Sequence, residues 1–466
     1  MIESTTLGYD YDEEKLGFEE PPKSETKPLS LPEKLSLGIV GIGALFFIIL
    51  LFNTPLRGTW GGFFLAFGPL VLGGGLYFWL SYKDTEPGIK NDGNFFGNIT
   101  SRGSLGWIAG ILMTGFYIVL YWWPQYLEGG VRLLDPQSQL ISGAPANHWF
   151  LYGFIYTLAV LVFGIRMLMK YRGNRYQQIR TLSVMTVQLG FAFLIPNILK
   201  LFSQPEFYFS YFWPLKYDYL FPSTVSYLTT SSAGLGIFLV FWGVVMTFIA
   251  VPLLTYFFGK RWYCSWVCGC GGLAETLGDP WRQLSDKSTR AWRIERWMIH
   301  SVLVLIVIVT AALWINSATE GRMLGDFSGS AAKWYGFFIG AIFSGVVGVG
   351  FYPLMGSRVW CRFGCPLAAT LGIFQRYFSR FRITTNGGQC MSCGNCSTYC
   401  EMGIDVRAYA QQGKNIIRAS CVGCGVCSAV CPRGVLKLEN GKTYGDRFEG
   451  SARPIQAFID SMKYVP

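Results

Sequence analysis

Eight stretches of the chain are long and apolar enough to cross a bilayer: 35–52, 60–80, 105–123, 149–169, 182–199, 234–258, 297–315 and 334–355. A transmembrane helix needs roughly 17 to 25 predominantly apolar residues. Helix is the expected form because a single segment in hydrocarbon must satisfy its own backbone hydrogen bonds. Composition agrees, since charged residues make up 14% of the 466 and a soluble domain carries about 25%. Trp60, Trp107, Trp122, Trp123, Trp149, Trp297 and Trp334 lie at or near the ends of these stretches, where an amphipathic ring suits the headgroup layer. The expected fold is an all-α polytopic membrane bundle of about eight helices.

Orientation follows from the basic residues. The first 34 residues and loops 83–104, 170–181 and 259–296 carry 18 Lys and Arg, whereas the alternate loops 53–59, 124–148, 200–233 and 316–333 carry 6. Basic residues gather on the cytoplasmic side, so both termini are expected in the cytoplasm, on a multi-pass protein of a bacterial inner membrane. The formal charge of +11 reads as this topology signal, and no nucleic-acid module accompanies it. Residues 1–34 are acidic and lack the basic-then-apolar design of a cleavable signal, so a cytoplasmic arm is expected, with the first stretch kept as an anchor. The aromatic-rich loop 200–233 is expected to lie flat at the outer interface as an amphipathic surface or re-entrant segment. No repeat at solenoid period is evident. The chain divides into the arm 1–34, an eight-helix domain 35–355 with an inner-face loop at 259–296, a cysteine-rich unit 356–440 and a tail 441–466.

Of thirteen cysteines, eight fall between Cys390 and Cys431. Residues 390–400 and 421–431 each read C-x2-C-x2-C-x3-C, the pattern of bacterial two-cluster ferredoxins, in which the fourth cysteine of each run ligates the other cluster. Cys390, Cys393, Cys396 and Cys431 are thus expected to hold one [4Fe-4S] cluster, and Cys421, Cys424, Cys427 and Cys400 the second, in a C-terminal cytoplasmic α+β ferredoxin domain. Tetrahedral zinc also uses C-x2-C pairs, but the doubled run ending in Cys431-Pro432 favours clusters. Cys400 is followed by Glu401 where the usual pattern has proline. Reduced thiolates belong in the cytoplasm, in agreement with the charge-based orientation.

Two further pairs, Cys264-x3-Cys268 and Cys361-x3-Cys365, follow the sixth and eighth stretches. On a helical turn such spacing puts both thiols on one face, so the pairs can converge at the inner membrane surface as a four-thiolate metal site or relay, or simply pack. Cys270 has no matching partner and is expected to pack.

Lys260-Arg261-Trp-Tyr-Cys264-Ser-Trp-Val-Cys268, Trp360-Cys361-Arg-Phe-Gly-Cys365-Pro366 and the double cysteine run together resemble the polytopic membrane ferredoxins of the NapH, NosR and CcoG group, over roughly residues 182–435. The resemblance implies two C-x3-C-P motifs flanking a four-helix core, cytoplasmic clusters and, in the NapH branch, electrons taken from quinol. Here the first motif ends in Gly269 instead of proline. NosR-type proteins add a large outer flavin-bearing domain and CcoG-type proteins an extra domain after the ferredoxin, so the NapH-like branch is the closest fit.

The two histidines, His148 and His300, lie at opposite ends of their segments, roughly 30 Å apart, and cannot clamp one haem. No haem is expected. His300 is near the Cys264 region in sequence and is a candidate proton acceptor for quinol. Arg166 is expected to snorkel to lipid phosphate, and Gln188, Pro196 and Asn197 to serve helix contacts. The catalytic candidates are His300, Cys264, Cys268, Cys361 and Cys365. The expected function is an integral electron-transfer subunit, a quinol-linked oxidoreductase component. It passes electrons between menaquinol or ubiquinol and the other subunits of a respiratory complex through two [4Fe-4S] clusters, with membrane lipid as its solvent. The alternatives are a maturation factor that reduces copper or another metal at the C-x3-C thiols, since soft thiolates favour Cu(I), and a docking subunit of a respiratory complex.

Overall fold

The computed structural model describes residues 29–52, 55–84, 103–231, 233–386 and 389–440. Most of the expected arm and the whole expected tail lie outside the described residues. Among the described residues eight helices are long and apolar enough to cross a membrane: α1 (Leu31–Leu51), α2 (Trp60–Lys83), α3 (Ser104–Trp122), α4 (His148–Lys170), α5 (Arg175–Leu201), α6 (Gly234–Phe258), α7 (Thr289–Ala318) and α8 (Phe327–Val347). The chain is therefore a multi-pass membrane protein. Large apolar side chains such as Leu72 and Ile111 stay exposed on the helix flanks, as lipid requires. Small residues set the close contacts: a Cβ on Gly43 would meet Leu70 N at 2.9 Å, and one on Gly73 would meet Ser36 O at 2.8 Å, so α1 and α2 pack backbone to backbone.

Three segments differ from expectation. Helices α5 and α7 each start seven or eight residues early, because one face of their first turns packs on protein: Arg180 is buried in α5 and Glu295 in α7. Helix α8 runs 327–347 instead of 334–355. It is broken where a Cβ on Gly348 would meet Trp360 at 2.8 Å and one on Gly350 would meet Thr114 Oγ1 at 2.4 Å.

The loop between α5 and α6 does not lie flat. It is the re-entrant form of the expectation: Phe207, Phe212 and Tyr219 are buried, and the backbone descends into the bundle. Irregular backbone at membrane depth must have its carbonyls satisfied. Trp242 Nε1 donates to Phe209 O at 3.2 Å, Tyr263 Oη to Ser210 O at 2.7 Å and Thr247 Oγ1 to Trp213 O at 3.0 Å.

After α8 an amphipathic helix α9 (Pro366–Tyr377) leads into the cysteine-rich unit. Strand β1 (Phe381–Thr384) pairs antiparallel with β2 (Lys437–Asn440), Phe381 opposite Asn440. Between them lie the matching short helices Asn395–Thr398 and Val426–Ala429, each starting within a cysteine run. This unit packs on the end of the bundle where α4 ends and α5, α7 and both C-x3-C motifs begin.

Candidate functional site

The two C-x3-C segments are a structural duplication. Gly259 ends α6 at φ +68° and Gly356 ends the short helix Tyr352–Met355 at φ +94°, a left-handed turn that glycine alone makes cheaply. A short turn carrying Cys264 or Cys361 follows each, and Cys268 and Cys365 then become N-caps of the next helices. All four cysteines are buried in one core cluster, and burial, followed by the neighbouring Cys361, Cys268 and Cys264, pushes the Cys365 thiol up. Burial pushes the Cys264 thiol up to about 12. Arg358 Nη1 reaches both Cys264 O at 3.1 Å and Cys361 Sγ at 3.7 Å. Cys270 sits beside Cys268, and the proximity of the two thiols lowers the Cys268 thiol and raises that of Cys270. Among the described residues no group of three or more His, Cys, Asp or Glu side chains is placed to hold a single metal ion. The duplication was readable as Gly-x-Arg-x2-Cys-x3-Cys occurring twice, a spacing far longer than a solenoid period.

The eight remaining cysteines form two sets around two separate cavities. Cys390, Cys393, Cys396 and Cys431 line one, and Cys400, Cys421, Cys424 and Cys427 the other. Each set thus takes its fourth member from the opposite run. The two sets differ in burial. Cys393 is exposed, whereas Cys421 and Cys427 are buried, and burial pushes the Cys421 and Cys424 thiols up to about 11. Four successive carbonyls of the second set's loop accept hydrogen bonds from side chains outside it. Gln375 Nε2 donates to Cys421 O at 2.7 Å, Ser265 Oγ to Val422 O, Tyr176 Oη to Gly423 O and Gln177 Nε2 to Cys424 O, the last three at 2.8 Å. The Cys421 loop is therefore fastened to the bundle, and the Cys390 loop faces outward.

Between bundle and ferredoxin unit runs a buried ion network that the sequence reading missed. Asp279 receives Arg166 at 2.7 Å, Lys170 at 2.9 Å and Arg282 at 3.1 Å. Glu275 pairs with Arg180 and Arg358. Glu401 pairs with Arg282 and Arg358, each at 3.0 Å. Burial would raise the Asp279 carboxyl, but Lys170, Arg166 and Arg282 more than reverse that and hold it well below the usual carboxylate range. Arg166 therefore does not snorkel to phosphate; it is fully buried against Asp279. Glu401, out of place in the ferredoxin pattern, is the ferredoxin unit's carboxylate in this network. Five cations face three carboxylates here, an excess of positive charge beside the Cys424 and Cys361 segments.

A cavity of about 760 Å³ lies on the other side of the C-x3-C segments. It is walled by α4, α5, the re-entrant loop and α8. Its charged residues, Lys200, Glu206, Lys216 and Asp218, belong to the far end of α5 and the re-entrant loop; its aromatic wall includes Tyr152, Tyr156, Tyr208, Tyr211 and Tyr217; Cys270, Trp360 and Pro366 lie at the C-x3-C end. Its lining on α5 runs from Lys200 to Gln188, roughly 18 Å at 1.5 Å per residue. Gln188 donates to Thr157 Oγ1 at 3.1 Å, yet its Oε1 has no hydrogen-bond partner among the described residues, nor has Tyr156 Oη. Both side chains are more than nine-tenths buried. Gly269, the departure from the Cys-Pro pattern, has its reason here: a Cβ would stand 2.2 Å from Tyr211 Oη and 2.7 Å from Gln188 Oε1. Gln188 is thus more than a helix contact, whereas Asn197 donates within its own helix to Phe193 O at 2.7 Å. His300 does not line this cavity. It lies in a different one with Lys260, Arg296 and Cys361.

Comparison with known proteins finds matches over all the cysteine-bearing segments. A 4Fe-4S dicluster domain family matches residues 389–436, and a 4Fe-4S binding domain family matches twice, at 238–288 and 335–385, one match over each C-x3-C pair. A protein of Escherichia coli K12 named as electron transport protein YccM is 30% identical over 173 residues, 35% of this chain and 46% of that one. The methylamine utilization ferredoxin-type protein MauN of Methylobacillus flagellatus is 26% identical over 153 residues, 31% of this chain and 50% of that one. An uncharacterized protein of Methanocaldococcus jannaschii is 26% identical over 167 residues, covering 35% and 59%. The chain spans about half the length of the curated relatives it matches. No solved structure matches it. The matches and the cysteine count together support iron–sulfur clusters and an electron-transport role in a membrane protein.

Proposed function

We propose that the chain is a quinol-linked electron-transfer subunit of a bacterial inner membrane, closest in kind to the NapH-like branch, with both termini and the ferredoxin unit in the cytoplasm. The 760 Å³ cavity carries this reading. Ligand sites are typically apolar and aromatic with a few polar groups that fix orientation. A quinol ring offers a flat apolar face and two hydroxyls, which suits tyrosine walls and the unpartnered atoms Gln188 Oε1 and Tyr156 Oη. Cys390, Cys393, Cys396 and Cys431 would hold the outward-facing [4Fe-4S] cluster, and Cys400, Cys421, Cys424 and Cys427 the one fastened to the bundle. Such clusters supply one-electron carriers, which divide the two electrons of a quinol. Cys264, Cys268, Cys361 and Cys365 lie between the cavity and the Cys421 loop, and are the residues assigned to the path between them. Arg358 and its neighbours hold positive charge beside that path. Tyr156 and Gln188 orient the ring, and the aromatic wall excludes water. The terminal partner docks at the exposed Cys390 loop and belongs to a respiratory or related redox complex.

The test is anaerobic reduction of purified protein by a short-tailed quinol. The expected result is about eight irons per chain, bleaching of their absorbance on mixing, and at least tenfold slower bleaching in the Gln188→Leu, Tyr156→Phe double variant at equal iron content. Bleaching at the wild-type rate in that variant would remove the cavity from the reading.

A further inference from the structure

A second cavity, about 270 Å³, opens where α7 enters the bundle, between α7, α9 and the Arg418–Ser420 segment. Its charges are unbalanced: Lys260, Arg296, Arg362, Arg376 and Arg418 line it, with Glu295 as the only carboxylate among the described residues. That carboxylate is already engaged by Arg362 Nε at 2.7 Å. Two of the cations are built in rather than solvated. Lys260 is 1% exposed, its Nζ held by Ala419 O at 3.2 Å, and Arg362 is 3% exposed, its Nη2 without a hydrogen-bond partner among the described residues. Arg296 and Arg418 both pack on Trp292, at 5.2 and 4.6 Å from its ring.

Lys260 is buried with no carboxylate partner among the described residues, which is costly, and Glu295 is the one carboxylate set against five lining cations, so an anion is the expected occupant. The level of the cavity says which kind. Trp297 and Tyr377 are exposed beside it, at 75% and 70%, and α7 turns apolar directly after His300. This is the aromatic and basic signature of the headgroup layer, and basic pockets between helices on that side hold anionic lipid headgroups.

We propose that this cavity binds phosphate, as the headgroup of an anionic membrane lipid or as the free ion. The bound phosphate touches Lys260, Arg296 and Arg362 of the membrane domain and Arg418 of the ferredoxin unit, three residues before Cys421. It thereby pins the cluster loop to the bundle. The proposal does not depend on quinol as the electron partner.

The experiment is native mass spectrometry of the delipidated full-length chain with phosphatidylglycerol or phosphatidylcholine. Phosphatidylglycerol is expected to be retained and phosphatidylcholine not, with retention falling at least about tenfold in Arg296→Gln, Arg418→Gln. Should Arg418→Gln disturb the nearby cysteine loop, Arg296→Gln with Arg376→Gln, both on exposed helix surface, is expected to give a similar loss with iron content unchanged. Displacement of phosphatidylglycerol by millimolar inorganic phosphate supports the site and admits the free ion as a source, whereas retention against phosphate supports the site and assigns it to lipid. Equal retention of phosphatidylcholine, or unchanged phosphatidylglycerol binding in both double variants, overturns the proposal.

Discussion

Gln177, in the first turn of α5, donates its side-chain amide to the backbone carbonyl of Cys424 at 2.8 Å, so a membrane helix holds a cluster loop directly. Its Oε1 accepts from Arg180 at 2.6 Å, which fixes the amide's direction. Gln177→Leu leaves the Cys424 carbonyl and one guanidinium nitrogen without this partner, a loss of about 1–3 kcal/mol. The expected outcome is selective lability of the cluster held by Cys421, Cys424, Cys427 and Cys400, read as loss of about half the iron under mild chelation. Equal loss from both clusters would contradict the docking role.

Glu401 stands between Arg282 and Arg358 at 3.0 Å from each. Restoring the commoner ferredoxin residue with Glu401→Pro leaves both guanidiniums facing each other without their shared carboxylate. Breaking a buried pair costs about 3–5 kcal/mol. The expected result is a sharp fall in the yield of iron-loaded protein, and wild-type yield and thermal stability would show that the network does not hold the two domains together.

Gly269→Pro would complete the first Cys-Pro motif, but the added atoms collide with Tyr211 Oη and Gln188 Oε1. Overpacking of this kind costs about 1–3 kcal/mol. Tyr211→Ala in the same chain should recover most of that loss. A stable Gly269→Pro single variant would mean that the re-entrant loop does not press on this residue.

Glu320 lies fully out in the loop between α7 and α8, its side chain 79% exposed. With the ferredoxin unit in the cytoplasm, Glu320→Cys should react with a membrane-impermeant maleimide on intact cells or spheroplasts. Protection there, with labelling only after lysis, would reverse the proposed topology.

The helices and both cysteine runs were legible because each rests on local information: length of apolar sequence in one case, spacing of ligands in the other. The boundaries of α5 and α7 were not, because their charged first turns look like loop, and single charges within them are buried by contacts remote in sequence, as Arg180 and Glu295 show. The same blindness applied to Lys260 and Arg282, which were counted as topology signals and are in fact nearly inaccessible, 1% and 0% exposed. Glu401 was noticed as a departure from pattern, but its meaning lies in Arg282 and Arg358, which no spacing rule joins to it. The cavity is assembled from α4, α5, α8 and a re-entrant loop, and only Gly269, an odd residue in a motif, hinted that something pressed there.

The central claim is that electrons pass from the tyrosine-lined cavity to the ferredoxin unit by way of the C-x3-C cysteines. The direct measurement is stopped-flow bleaching of the iron–sulfur absorbance by a quinol in Cys361→Ala, and in the quadruple variant that also replaces Cys264, Cys268 and Cys365, each matched to wild type for iron content. Truncating a merely packed cysteine costs on the order of 1–3 kcal/mol and lowers yield without slowing electron transfer in the molecules that fold. The account predicts intact iron with reduction slowed at least a hundredfold. Reduction at the wild-type rate in the quadruple variant would contradict it.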